Sequence, residues 1–495
     1  MIRGLILVCL ATSATADPIF RDLSANLPQH EYTGGWEHFV GGGVAVMDCN
    51  GDQLPDMFAA GGSNPPSLFI NRGDFKFEAA PLPEGLTETS GAYPIDIDGD
   101  GWMDLFILRV GPNRVLRGGP DCQFDDATEA WGMPSAEQWS NAFSAWWEDD
   151  GRPVMAVGNY VDRTNPEGPF FACDSNSILM PEGDAYQATP LTPGFCPLSM
   201  LASNDARGRP TLRISNDRQY YVRGGYEQMW DIQERRFLTE ADGWSPISIW
   251  GMGIASRDLN GDGRDEVMLT SMGDQLMQIA QENGGYVAAP FDIGTYAHIP
   301  FDGSDGRPST GWHAQFGDVD NDGLADLFIA KGNVDQMPSN AIHDPNNLLM
   351  QQPDGHFVEF AGVAGIATAE RSRGAALVDL DNDGRLDLVV VNRRAPMELY
   401  RNETTETGNW LAVALTQPGG NRNAVGAVVT VTTNNQSQVQ QVTIGGGHAG
   451  GQAGPLHFGL GAATEVQISV RWPGQSQEPT SSSVAANQSV IISRD

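Results

Sequence analysis

Residues 379–390 read DLDNDGRLDLVV. Carboxylates stand at positions one, three, five and nine (Asp379, Asp381, Asp383 and Asp387), Gly384 fills position six, and an apolar run follows. Acidic turns are common on surfaces, so one copy would carry little. Four more stand in the chain: DVDNDGLAD at 318–326, DLNGDGRDE at 258–266, DIDGDGWMD at 96–104 and DCNGDQLPD at 48–56. Each places an oxygen-bearing side chain at the same four positions. These are Asp318, Asp320, Asp322 and Asp326; Asp258, Asn260, Asp262 and Glu266; Asp96, Asp98, Asp100 and Asp104; and Asp48, Asn50, Asp52 and Asp56. Gln53 departs from glycine at position six, and Glu266 from aspartate at position nine.

The copies are spaced like structural repeats. Neighbours lie 48 to 61 residues apart, except across the gap from Asp96 to Asp258. That gap holds two degenerate copies, WWEDDGRPVMAVG at 146–158 and SNDARGRPTLRIS at 203–215. Short strand-like runs follow the acidic loops (MFAA, LFIL, VMLT, LFIA, LVVV), and strand–turn–strand patterns such as LFINRGDFKF (68–77) and LLMQQPDGHF (348–357) come next. Seven such units predict an all-β fold: a seven-bladed β-propeller over residues 17–407. FRDLS at 20–24 matches FDDAT at 124–128, so the first strand is expected to complete the last sheet. Residues 408–495 read as a small C-terminal β-domain, with VGAVVTVTTNN and QVQQVTIG meeting at an Asn-Asn turn. Within it, Gly445-Gly446-Gly447-His448 reads as a tight turn packing against the propeller, with a ligand loop as the alternative.

The acidic spacing suits a hard cation. Calcium takes six to eight oxygens at about 2.3–2.6 Å, and short aspartates bring oxygen close to a turning backbone. The expected ligands are the side chains named above and the position-seven carbonyls of Leu54, Trp102, Arg264, Leu324 and Arg385, giving about five Ca2+ sites. Without an ion, crowded carboxylates would repel one another. Magnesium asks for stricter octahedral geometry, and thiolate or imidazole metals lack their ligands here. The two degenerate loops are expected to be empty.

Asp and Glu total 63 against 29 Lys and Arg, a formal charge of -34. Such a surface repels nucleic acid and anionic lipid. The N-terminus, MIRGLILVCLATSATADP, has a basic start, a short apolar core and small residues at Ala14-Thr15-Ala16. It predicts a secretory signal peptide over residues 1–16 and an exported product, periplasmic or extracellular, without a transmembrane segment. Cys49, Cys122, Cys173 and Cys196 would remain after cleavage. Three pairings are open; nearness in sequence favours Cys173–Cys196, which leaves Cys49–Cys122, and four free thiols are the alternative. Arg72-Gly73-Asp74 reads as a hairpin turn rather than an adhesion motif. His298 and His313 stand near DGSDG (302–306), a weaker candidate for a further ion. Neither a G-x-S-x-G elbow nor a phosphate loop is found, so no catalytic residues are assigned.

The acidic loops resemble FG-GAP/VCBS repeats, known from integrin α-chain propellers and many bacterial exported proteins. NWLAVAL (409–415), NRNAVGAVVTV (421–431), PLHFGLG (455–461), EVQISVRWPG (465–474) and ANQSVII (486–492) resemble the ASPIC/UnbV domain. The combination is similar to the cartilage acidic protein 1 family. The resemblance implies calcium in the propeller loops and a role in extracellular interaction or matrix contact. Gln53, Glu266 and the two degenerate units depart from the pattern. The expected function is an exported, calcium-binding, non-enzymatic interaction or adhesion module, its partner an extracellular or periplasmic protein or glycan. Two rivals stay open: a carbohydrate-binding or carbohydrate-active protein, and a structural subunit of an envelope assembly.

Overall fold

The computed structural model describes residues 17–217, 224–433, 436–474 and 479–494. The signal-peptide expectation and the Asn434-Asn435 turn lie outside the described residues. Within them the chain is almost wholly β-strand, with the short helix Ala361–Ala364 and a few 3-10 turns between.

The repeats are small antiparallel sheets. The first contains Val44–Met47, Asp56–Ala59, Ser67–Asn71 and Phe77–Ala80; the second Thr89–Ile95, Asp104–Arg109, Arg114–Gly119 and Gln123–Asp126. The third contains Ser140–Trp146, Val154–Asn159, Asn176–Glu182 and Ala185–Leu191; the fourth Pro197–Asn204, Pro210–Asn216, Gln228–Asp231 and Arg236–Phe237. The fifth contains Gly251–Arg257, Glu266–Ser271, Leu276–Ala280 and Tyr286–Ala288; the sixth Gly311–Gly317, Asp326–Lys331, Asn347–Gln351 and Phe357–Glu359. The seventh contains Ser372–Val378, Asp387–Asn392 and Glu398–Asn402, and is completed by Phe20–Asp22 from the start of the chain. Each acidic loop joins the first and second strands of its sheet.

Burial explains the composition of these strands. Asp104–Arg109, Asp326–Lys331 and Asp387–Asn392 are buried along their whole length, so both faces are apolar and no alternation shows. Their side chains fill the spaces between neighbouring sheets; Tyr93 and Phe106 of the second sheet meet Phe143 and Val157 of the third. The first strands of successive sheets lie against one another in chain order, and Ser372–Val378 of the seventh lies against Val44–Met47 of the first. Two disulfides tie sheets together: Cys49–Cys122 links the first acidic loop to the second sheet, and Cys173–Cys196 links the third sheet to the fourth. The Arg72-Gly73-Asp74 tripeptide is indeed a hairpin turn, with the Arg72 N–H donating to the Lys76 carbonyl at 2.8 Å.

The C-terminal strands alternate where those of the repeats do not. Asn409–Thr416 alternates between buried and partly exposed residues. It sits between Leu456–Gly461 and Gln488–Ser493, while Val428–Thr432 and Glu465–Arg471 are the inner strands of a second sheet. Leu411, Val429, Phe458 and Ile468 fill the core between these two sheets. The glycine-rich stretch is not a free ligand loop. Residues 444–453 leave the C-terminal unit and run against the first strands of the first six sheets. Ile444 bridges to Ala145, Gly445 to Leu201, Gly447 to Ile254 and Gly450 to Ala92, and Gln452 pairs with Val46. The His448 N–H donates to His313 Nδ1 of the sixth sheet at 3.2 Å. His448 is wholly buried.

Candidate metal centres

Each acidic loop is wound around its own carboxylates. The position-one carboxylate accepts the N–H of position six in all five loops: Gln53, Gly101, Gly263, Gly323 and Gly384 donate at 2.7–3.0 Å. The position-five carboxylate accepts the N–H of position seven in all five, at 2.8–3.0 Å. Position six has positive φ throughout, +97° at Gly101 and +70° at Gln53, which explains the glycines there and makes Gln53 the strained exception. Position four is left-handed as well: Gly51, Gly99, Gly261, Asn321 and Asn382. Only glycine and asparagine appear at that position, a signal the sequence reading passed over.

The position-nine residue has a second job. In four of the five loops its two oxygens accept the N–H of position two and a backbone N–H from the sheet's third strand; Glu266 accepts only the Leu259 N–H, at 3.0 Å. Asp104 takes Ile97 and Gly118 at 2.7 and 2.8 Å; Asp326 takes Val319 and Gln351 at 3.0 and 2.9 Å; Asp387 takes Leu380 and Asn402 at 2.9 and 2.8 Å. Asp56 does the same with Cys49 and Asn71. The carboxylate therefore clamps the loop to the sheet whether or not an ion is bound.

The structure brings positions one, three and nine together in three loops. One oxygen from each of Asp96, Asp98 and Asp104 lies within 4.8 Å of the others, and the same holds for Asp318, Asp320 and Asp326 and for Asp379, Asp381 and Asp387. Burial pushes these carboxyls up, and neighbouring carboxylates add to it: Asp96 to about 6, Asp379 to about 7, Asp104 to about 8, and Asp318, Asp326 and Asp387 well above the usual range. Position five turns elsewhere in two of these loops. Asp100 pairs with Arg117 at 2.7 Å, and Asp383 pairs with Arg385 and Arg401. Arg117 also reaches Asp98, and Arg401 reaches Asp381. These arginines come from third strands, and the sequence reading did not anticipate them.

The loops at Asp48 and Asp258 carry Asn50 and Asn260 at position three and form no such trio of carboxylates. In the first, Asn50 donates to Asp52, and the sulfurs near Asp56 belong to the Cys49–Cys122 disulfide, so they are not thiolate ligands. In the second, Arg264 pairs with Asp262, and half-buried Asp265 accepts from Ser256 beside Arg257. The degenerate loop at 203–211 supplies its own positive charge: Arg209 pairs with buried Asp205 at 2.6 Å. His298 and His313 do not meet. His298 pairs with Asp274 in an exposed loop, whereas His313 is buried against the glycine-rich stretch.

The donors fit a hard cation. All are oxygens, and three buried carboxylate oxygens in these loops have no hydrogen-bond partner: Asp320 Oδ2, Asp381 Oδ1 and Glu266 Oε1. A buried carboxylate oxygen left without a partner is costly, and an ion supplies the missing positive charge. Calcium is the common divalent ion whose coordination number and flexible geometry match carboxylates plus a carbonyl.

The comparisons agree with the domain make-up. Residues 48–107 and 318–390 match the FG-GAP-like repeat, and residues 417–495 match the family described as ASPIC and UnbV. The chain carries both kinds of domain. No curated protein matches it. Similar solved structures include BBS1N in complex with ARL6DN, at 9% identity and a TM-score of 0.48 over 80% of this chain and 99% of that one. An Agrocybe aegerita lectin that recognises non-reducing terminal N-acetylglucosamine is 12% identical, with a TM-score of 0.41 over 70% of this chain and 89% of the lectin. YCF48 from Cyanidioschyzon merolae is 8% identical, with a TM-score of 0.40 over 77% of this chain and 98% of that one. None of these likenesses carries a ligand or partner to this chain.

Proposed function

We propose that this protein is a calcium-stabilised seven-bladed β-propeller with an ASPIC/UnbV domain seated on it, exported and acting as a non-enzymatic interaction module. Two kinds of contact support the propeller reading: the order in which first strands touch, and the pairing of Phe20–Asp22 with Glu398–Asn402. The observation that carries the calcium reading is the buried, unpartnered Asp320 Oδ2 beside Asp318 and Asp326. Calcium there would be held by Asp318, Asp320, Asp322, Asp326 and the Leu324 carbonyl, and by the equivalent groups elsewhere. Its chemistry is charge neutralisation: it holds loops in one shape on a rigid frame, where they present a surface to a partner. The leader-like N-terminus and the disulfides support export. Among the described residues no helix is long and apolar enough to cross a membrane.

The test is calorimetric unfolding in calcium and in chelator, with bound metal counted by elemental analysis. About five calcium ions per chain and a lower Tm in chelator are expected, since ligand at a hundred times its Kd stabilises by about 2.7 kcal/mol per site. A count near zero, or an unmoved Tm, overturns the calcium reading. Glycan turnover lost on mutating a carboxylate outside the loops would favour the carbohydrate-active rival instead.

A further inference from the structure

The C-terminal unit touches more than one acidic loop: His457 meets the Gly384 carbonyl at 3.1 Å, and a Cβ on Gly384 would fall 1.9 Å from Trp410 Nε1, but the Asp318 loop is the one whose position-one and position-three carboxylates are both buried under it. Residues from the C-terminal unit close over its backbone. The Gly408 N–H donates to the Asp320 carbonyl at 2.9 Å, the Gly461 N–H to the Asn321 carbonyl at 2.8 Å, and Gln436 Nε2 to the Gly323 carbonyl at 3.1 Å. The approach is close enough to need glycine. A Cβ on Gly459 would fall 1.8 Å from Asp318 Oδ2, and one on Gly408 1.9 Å from the Asn321 carbonyl. Asp318, Asp320, Asn321 and Asp326 are accordingly buried, whereas Gly51, Asp52 and Gln53 of the first loop face solvent.

The Asp318 loop is covered and carries no ion pair, whereas the Asp379 loop, which the same strands touch, has its arginine. Asp98 and Asp100 have Arg117, and Asp381 and Asp383 have Arg401. Among the described residues none of Asp318, Asp320, Asp322 and Asp326 forms an ion pair. Buried Arg257 faces Asp318 but faces Asp258 and Asp265 too. Asp320 Oδ2 is left buried without a hydrogen-bond donor. Burying several carboxylates under a second unit is strongly unfavourable unless positive charge arrives with it.

We propose that the cation in the Asp318 loop is the clasp between the repeats and the C-terminal unit: its binding permits the strands Asn409–Thr416 and Leu456–Gly461 to seat on this loop, and its loss unseats them. The inference rests on the calcium reading, since it says what one of those ions does. Linkage makes the effect reciprocal, so whatever weakens the seat also weakens calcium binding at this loop.

Hydrogen exchange on the full chain, read by mass spectrometry over 408–416 and 456–461, tests it together with a calcium count. Asp320→Ala is expected to bind one calcium fewer and to speed exchange in both segments at least tenfold. Asp52→Ala, in the first loop, is expected to bind one fewer and leave both segments at wild-type rates. One ion fewer in Asp320→Ala with unchanged exchange overturns the clasp while leaving the calcium reading standing. An unchanged ion count in that variant overturns calcium at this loop, and the clasp with it. Should Asp320→Ala fail to fold, Gly459→Ala approaches from the other side. A tenfold loss of calcium affinity at one site supports the clasp, and unchanged affinity at every site overturns it.

Discussion

At the scale of single residues, the acidic loops hold two kinds of carboxylate that look alike in sequence. Asp326 is 1% exposed and satisfies two buried amides, from Val319 and Gln351. Removing it leaves both donors unpaired, at about 1–3 kcal/mol each. Asp326→Ala is therefore expected to destabilise by about 2–6 kcal/mol in chelator, and by more in calcium, whose ligand it also is. Asp322 accepts only the Leu324 N–H at 2.8 Å within its loop, so Asp322→Ala should lose most of its effect once calcium is removed. Chemical denaturation in chelator separates them; equal losses there would contradict the division. The nine-residue pattern was legible because its oxygens are local in sequence. The clamp was not, because the Gln351 amide lies far along the chain. A second residue-scale prediction concerns His448. Burial, helped by Arg373 and His313, pushes its pKa down to about 3; burial likewise takes His313 and His457 to about 4. Its Nε2 accepts the Gly41 N–H at 3.1 Å and its Nδ1 faces the Met252 carbonyl at 3.2 Å, the pattern of a neutral ring protonated on Nδ1. An unfolded histidine takes up a proton below about 6.5, while these do not until about 3–4. Their contribution to stability is thus whole above pH 6.5 and is lost progressively as pH falls toward 4. Nitrogen NMR of the folded protein at pH 5.5 should find His448 neutral; an imidazolium signal there would refute the assignment.

At the scale of elements, charge and covalent links substitute for one another from sheet to sheet. Arg209 on Asp205 does in the fourth sheet what a cation would do elsewhere, and the third and fourth sheets, whose loops are degenerate, are joined by Cys173–Cys196. That bridge spans a sequence separation of 23, for which a loop-entropy account gives about 3 kcal/mol. The double replacement Cys173→Ser and Cys196→Ser is expected to lower stability by about 2–4 kcal/mol, independently of calcium. Exchange should rise most in Asn176–Glu182 and Pro197–Asn204. Equal loosening of the sixth and seventh sheets would argue against a local staple. The seven units were readable from their spacing, and the first strand's partner from the match of FRDLS with FDDAT. Arg117 and Arg401 were not readable, because nothing in a strand's own pattern says which loop its outward arginine will meet.

At the scale of the whole molecule, the glycine-rich stretch joins what sequence spacing presents as two separate units. Residues 444–453 could be read as a turn against the repeats, but not as a strap touching six sheets, because glycine carries no side-chain pattern to reveal its neighbours. Glycine is needed on both sides of the contact. A Cβ on Gly43 or on Gly91 would fall 1.8 Å from the Ala449 carbonyl, and one on Gly450 2.2 Å from the Val44 carbonyl. All of these are backbone atoms that no rotamer change can move away. Gly91→Ala should therefore push the strap from its seat rather than merely crowd a side chain. The amides of Gly446 and Gly447 each donate at 2.7 Å, to the carbonyls of Met200 and Ile254, and report the seat directly. The variant is expected to exchange both at least tenfold faster and to lower the Tm by several degrees, since the inner strands lose their cover. The wild type should unfold in one calorimetric transition, because a strap touching most of the sheets couples their unfolding to that of the C-terminal unit. Two resolved transitions in the wild type, or unchanged exchange at Gly446 and Gly447 in Gly91→Ala, would mean that the units are neighbours without being coupled.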